Sequence, residues 1–274
     1  MPSDLGTPRR VRPSFGISDT WTAQDASIPY VITPWAGQVL TPTPILRWNP
    51  ISGARQYRVT LQRNTFDGWQ PEWTILTDQP VLAYPVNKPP LVPGEEYALQ
   101  VTAGWRAAAS SEEWNPSVEF SVVGGQEAQD AAADIAVVEA MDVPQRFKTL
   151  ILAQEVYPTY KLFAQGISDL LSLIDSGEES ALAYRLLGDY AVRSGLALVA
   201  EDSYSQALAL ADDQLEERVK AQWGLGVVYN RTDRTEQAQK VLEQANQGAM
   251  ELADEDLLGR IESAMENLNL VEAP

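Results

Sequence analysis

The 274 residues include no histidine and no cysteine. Without histidine the chain lacks the usual general base, the Ser-His-Asp class of triad and most transition-metal sites. Without cysteine it has no disulfide, no thiol nucleophile and no zinc–thiolate site, and the redox compartment stays open. No run of about 18 apolar residues exists that could span a membrane. A glycine-rich phosphate loop is missing too: Gly188 and Gly226 stand alone, and LGVVYN has no Lys-Ser/Thr after a glycine run. The acidic pairs Glu112/Glu113, Glu178/Glu179 and Asp212/Asp213, and the run 254–256, lack the Asp-x-Asp-x-Asn-Gly spacing of a calcium loop and read as solvated helix ends and loops. A two-carboxylate hydrolase needs its acids close only in space, and no residue pattern favours one. The inventory is that of a protein that is not an enzyme and carries no cofactor.

What is present divides in two. Residues 1–125 hold 15 of the 18 prolines and seven of the eight tryptophans, whereas 126–274 are rich in Ala, Leu, Glu and Gln. That is a β-type composition followed by an α-type one. Charge divides as well, about −2 in the first part and −16 in the second, within a total of −18. Such acidity disfavours nucleic acid and anionic membranes as partners. Residues 1–27, polar and aperiodic, read as a disordered tail whose one charge cluster is Arg9, Arg10 and Arg12. A solvated tether is the main reading of it, a basic contact for phosphate or lipid the minor one.

Between 28 and 123, short β-rich runs are separated by Pro, Gly and Asn, predicting an antiparallel sandwich. The expected strands are 28–33, 44–48, 56–63, 72–77, 81–84, 95–105 and 118–123. Within 56–63, Tyr57, Val59 and Leu61 alternate with Arg58, Thr60 and Gln62, as when one face is buried. LVPGEEY at 91–97, followed by an alternating strand, resembles the tyrosine corner of fibronectin type III and immunoglobulin-like domains, with Trp48 as the core tryptophan. The resemblance implies that the Tyr97 hydroxyl bonds upstream backbone. Trp69, Trp73, Trp105 and Trp114 have two readings: a sugar-stacking platform, or packing against loops and a neighbouring domain.

Residues 124–142 predict a connecting helix, with Ala128, Ala131, Ile135, Val138 and Met141 at helical spacing. ALAYRLLGDYAVRSGLALVAEDSYSQA, at 181–207, places Tyr184, Leu187, Gly188 and Ala191 on one helix face, a turn at Gly195, and Ala200, Tyr204 and Ala207 on a second helix. It resembles a tetratricopeptide (TPR) repeat, whose period is about 34 residues. A looser copy lies upstream around Gln154, with Pro158 inside its first helix, and another downstream around Gly226, four residues late. Three TPR-like repeats over 143–252 and a capping helix over 253–270 complete a helical solenoid.

A fibronectin-like sandwich followed by TPR repeats is similar to secreted or envelope-associated bacterial proteins. It implies a non-catalytic adaptor for a protein or peptide, placed outside the cytoplasm if the chain follows a removed signal peptide, or cytoplasmic if it does not. In TPR families the inner face is lined by fixed first-helix positions. Here those positions include Lys148, Arg185, Arg193, Lys220, Trp223, Asn230 and Arg231, and five of the 15 inner positions are basic against two acidic. The expected ligand is an acidic or C-terminal peptide, its carboxylate held by arginine forks. The rival reading is an envelope carbohydrate-binding protein that uses the tryptophan-rich sandwich. Local pairing of the basic residues with Glu155, Asp189 or neighbouring acids is the bland alternative for the groove.

Overall fold

A computed structural model describes residues 26–35, 37–103 and 118–271. The alternating runs form strands: in β4 (Tyr57–Thr65) Tyr57, Val59 and Leu61 are buried while Arg58 faces outward. Around it lie β1 (Val31–Thr33), β2 (Gly37–Val39), β3 (Leu46–Trp48), β5 (Gly68–Thr77), β6 (Val81–Leu82), β7 (Glu96–Ala103) and β8 (Val118–Val122). They make two sheets, ordered β1-β3-β6 and β2-β8-β7-β4-β5. The expectation of purely antiparallel strands is corrected at one edge, where β2 runs parallel to β8 with Gly37 opposite Phe120. Three residues are too few for a period-2 pattern to be read, so β2 had no signal in the sequence.

Both sheets bury one apolar cluster. Val31, Leu46 and Trp48 enter it from the first sheet, and Val59, Leu61, Leu99, Val101 and Phe120 from the second. Trp48 meets Tyr57 edge-on at 5.4 Å between ring centroids. The Val92 N–H donates to the Tyr97 hydroxyl at 2.9 Å, five residues upstream as the sequence implied. Tyr57 does the same for the Ile51 N–H, at 2.8 Å.

The C-terminal part is helical. α1 (Gly125–Glu139) falls within the expected connecting helix and buries Ala131 and Val138. α2 (Gln145–Ile151) passes directly into a π-helical turn, Leu152–Val156. Pro158 accounts for it: proline offers no N–H and its ring crowds the preceding carbonyls. The helix therefore ends in a wider turn, with the Tyr157 N–H bonding the Leu152 carbonyl five residues back at 2.9 Å. α3 (Phe163–Asp175), α4 (Ala181–Arg193), α5 (Ala197–Leu210), α6 (Leu215–Arg231), α7 (Thr235–Leu252) and α8 (Glu255–Val271) follow. Ser180 caps α4, accepting from the Ala183 N–H at 3.1 Å.

These helices stack as hairpins: α2 and its π turn with α3, α4 with α5, and α6 with α7. Small residues sit where neighbours press closest. A Cβ at Gly188 would stand 2.6 Å from the Tyr204 ring, and one at Gly224 2.2 Å from it. The four-residue delay before the third hairpin is spent in α6, 17 residues long against 13 for α4. Asp254 caps α8 through the Leu257 N–H at 3.0 Å, and Leu257, Ile261 and Leu268 close over Leu242, Ala245 and Ala249 of α7.

The sheets and helices share an interface through α3. Ala164 packs into the sheet core, the Thr33 hydroxyl donates to the Ala164 carbonyl at 3.3 Å, and Arg47 pairs with Asp175 at 2.8 Å. Tyr30, Ile32, Trp35 and Leu40 pack against the helical core. Among the described residues no helix is long and apolar enough to cross a membrane.

Candidate functional site

All three hairpins line one cavity of about 180 Å³, and its basic side chains come from α4 and α6. Gln154 and Pro158 line it from the first hairpin, Arg185, Asp189 and Arg193 from α4, and Lys220 from α6, with Tyr190 as a wall. Its charged lining is three cations and one anion, a net +2 in a helical part of about −16.

Arg185 is the most enclosed of these. Its Nη1 reaches Asp189 and its Nε reaches Glu217, each at 2.5 Å, and the residue is only 7% exposed. Burial works against its charge, yet Asp189 and Glu217 outweigh that cost and hold the guanidinium above its ordinary range. Its Nη1 and Nε are thus used by the fold, tying α4 to α6, and the two carboxylates offset its charge. Asp189 also accepts from the Tyr204 hydroxyl at 2.8 Å, so one carboxylate ties Arg185 to α5.

Arg193 and Lys220 are the cations best placed for a ligand. The Arg193 guanidinium lies 5.6 Å from the Phe163 ring centroid and 5.9 Å from that of Tyr190, within cation–π reach of both. Lys220 pairs with Glu216 one turn earlier on α6, and the Glu216 side chain is 61% exposed. Exposed pairs of this kind contribute about 0–1 kcal/mol, so a ligand carboxylate can take Glu216's place.

The other expected groove residues lie elsewhere. Lys148 turns toward α1, donating to the Glu139 carbonyl at 2.5 Å, with the Glu139 carboxylate 4.0 Å away. That departs from the inner-face expectation, and the broken first helix explains it: the π turn shifts the helix's rotational register. Trp223 packs on the cluster of α6, α7 and α8, its buried Nε1 having no hydrogen-bond partner among the described residues. Asn230 and Arg231, half-buried at the end of α6, are outside the cavity lining. Glu217 was not singled out in the sequence. It stands 32 residues after Arg185, near one repeat period, and that spacing was the available signal.

The tryptophan platform is not assembled by the described residues. Trp73 is 5% exposed within the sheet core, its Nε1 3.4 Å from the Tyr84 hydroxyl. Trp69 pairs with Asn64, whereas Trp73 pairs with Leu61, and the β4–β5 register shifts between Leu61 and Gln62. Paired residues share a face, and Leu61 and Asn64 are three apart, so the bulge sends the two tryptophans to opposite faces. Trp105 and Trp114 lie outside the described residues. No group of three or more metal-ligating side chains is found among the described residues.

No protein-family model matches the chain, and no curated protein matches it. Solved structures do. One described as the crystal structure of MamA is 19% identical, covers 53% of this chain and 93% of its own, and superposes with a TM-score of 0.35. Another, described as the crystal structure of MamA protein, is 18% identical over 53% of this chain and 88% of its own, with a TM-score of 0.37. At this degree of likeness the chemistry of the groove is read from its own residues.

Proposed function

We propose that the chain is a non-catalytic adaptor that binds an acidic or C-terminal peptide in the groove formed by its first helices. In this reading the helical hairpins are a TPR-like solenoid and the two sheets a fibronectin-like sandwich, with the strand order β1-β3-β6 against β2-β8-β7-β4-β5, in which β2 is a parallel strand added at the β8 edge. The observation that carries it is the convergence of Arg193 and Lys220 on one cavity beside the neutralised Arg185, in an otherwise acidic helical part. The ligand carboxylate bonds Arg193 bidentately and displaces Glu216 from Lys220. The resemblance that implies this function also implies placement outside the cytoplasm.

The test uses a dye-labelled hexaglutamate with a free C-terminus, its C-terminal amide, and a hexaserine control, followed by fluorescence anisotropy. Binding of the acidic peptide should weaken as salt rises, because the pairing is screened. Arg193→Glu with Lys220→Glu should abolish it and leave the helical melt in place. Equal binding by that double variant, or hexaserine bound as well as hexaglutamate, excludes this site.

A further inference from the structure

A second cavity of about 680 Å³ lies between α1, α2 and α3, with charge of the opposite sign. Ile135, Leu152 and Leu173 form apolar wall, and its charged lining is Glu139, Asp169 and Glu178 against Arg146, a net −2. Asp169 accepts from the Tyr157 hydroxyl at 2.5 Å and from Gln165 Nε2 at 2.9 Å. Glu139 accepts from Gln145 Nε2 at 3.1 Å, and Arg146 stands 4.0 Å from Glu178. Beside lining residues 144–146 in the sequence, the apolar Met141, Val143 and Phe147 are each about 40% exposed. The cavity is thus suited to a cationic segment that also carries apolar side chains.

The chain supplies such a segment. Residues 5–18, LGTPRRVRPSFGIS, carry Arg9, Arg10 and Arg12 with no acid, together with Val11 and Phe15. They precede the described residues, and a series of contacts links the point where the described chain starts to a residue next to the cavity lining. Asn49 Nδ2 donates to the carbonyls of Ala26 and Ile28, at 3.5 and 3.2 Å. Two residues before Asn49, Arg47 pairs with Asp175, which adjoins the cavity residues Ser176, Gly177 and Glu178. The chain from Arg12 to residue 26 spans at most about 50 Å when extended, at about 3.3–3.6 Å per residue, so reach is not limiting.

We propose that this cavity is the docking site of the chain's own arginine-rich segment, residues 9–15. The guanidinium groups face Asp169 and Glu178, where bidentate pairing replaces the long Arg146–Glu178 contact, and Val11 and Phe15 cover Met141, Val143 and Phe147. The segment thereby pins α1 and α2 to α3. This site is independent of the groove at Arg193 and Lys220.

Because the chain has no cysteine, an introduced pair reports without background. Val11→Cys with Ser176→Cys places one thiol in the segment and one on the exposed rim; Val11→Cys with Gln237→Cys, on exposed α7, is the control. Under mild oxidant the first pair should form an intramolecular disulfide roughly tenfold or more faster than the control, as expected of a docked over an undocked tether. Reversing Arg9, Arg10 and Arg12 to Glu, which changes none of the described residues, should remove that excess, and so should high salt. Equal rates in the two pairs, or an excess that survives the reversal, overturns the proposal. Disulfides formed only between molecules would make the occupant a second copy. Absence of the intramolecular bond in a chain that binds added hexa-arginine would make it a partner's basic segment.

Discussion

Tyr97 and Asp169 show how one hydroxyl or carboxyl carries structural consequence. The Tyr97 hydroxyl accepts the Val92 N–H, and the residue is 2% exposed. Tyr97→Phe leaves that donor unpaired and should cost about 1–3 kcal/mol, seen as a lower melting temperature of the sheet signal. Asp169 behaves differently, because burial raises its pKa above 3.8 despite the bonds from Tyr157 and Gln165. A carboxyl whose folded pKa lies above its unfolded one stabilises the fold in acid and loses that contribution as pH rises through the folded value. Asn does not titrate and still accepts from Tyr157. In a chain with Arg9, Arg10 and Arg12 replaced by Ser, so that no docked guanidinium faces the carboxyl, denaturant unfolding should therefore show the stability of Asp169→Asn improving relative to its Asp169 parent as pH rises from about 3.8, then levelling. A constant difference across pH would mean the carboxyl is not perturbed. The Tyr97 bond was legible in LVPGEEY, since a turn glycine fixes where the next strand starts. The faces of Trp69 and Trp73 were not, because four-residue spacing puts two strand residues on one face unless a bulge intervenes, and nothing local marks the bulge except Pro71.

The hairpins hold together through glycines pressed on large side chains. Gly188 and Gly224 both press on Tyr204, Gly166 meets the Tyr190 ring at 2.7 Å, and Gly226 meets Leu242 at 2.6 Å, measured from an added Cβ. A buried aromatic ring cannot swing aside as a flexible chain end can. Gly188→Ala and Gly224→Ala should each cost about 1–3 kcal/mol by overpacking. Gly259 on α8 is exposed and an added Cβ there meets nothing within 4 Å, so Gly259→Ala should raise stability by up to about 1 kcal/mol through helix propensity. Thermal denaturation by circular dichroism ranks the three; a destabilised Gly259→Ala would show a neighbour that the packing lacks. Helix existence was legible here because apolar residues recur at helical spacing over long stretches. The π turn was legible only as a disturbance at Pro158, since proline forbids a normal turn without specifying how the chain resolves it.

At the scale of the whole molecule, composition separates a β part from an α part, and the structure then joins them at α3. Ala164 belongs to the sheet core, while Trp35 touches both cores. No periodicity within one element can report such a contact, because it depends on which two surfaces meet. A fragment starting at Gly125 exposes the sheet-facing side of α3. Its helical melt should be cooperative but lie below that of the full chain, read by circular dichroism at 222 nm. Equal melting of the two would show that the interface adds no stability to the helices.

The covered ends of the helical stack have a metric consequence. Sheets and α1 cover it at α3 and the π turn, and α8 covers it at α7, so no further hairpin can be added at either end of the groove. First helices packed about 8–10 Å apart give three of them a span of roughly 20 Å. An extended peptide covers that with about six residues, at about 3.3 Å each. In the proposed reading the groove acts as a gauge: lengthening an acidic peptide should tighten binding up to about six residues and add nothing beyond, whatever the charge of the added part.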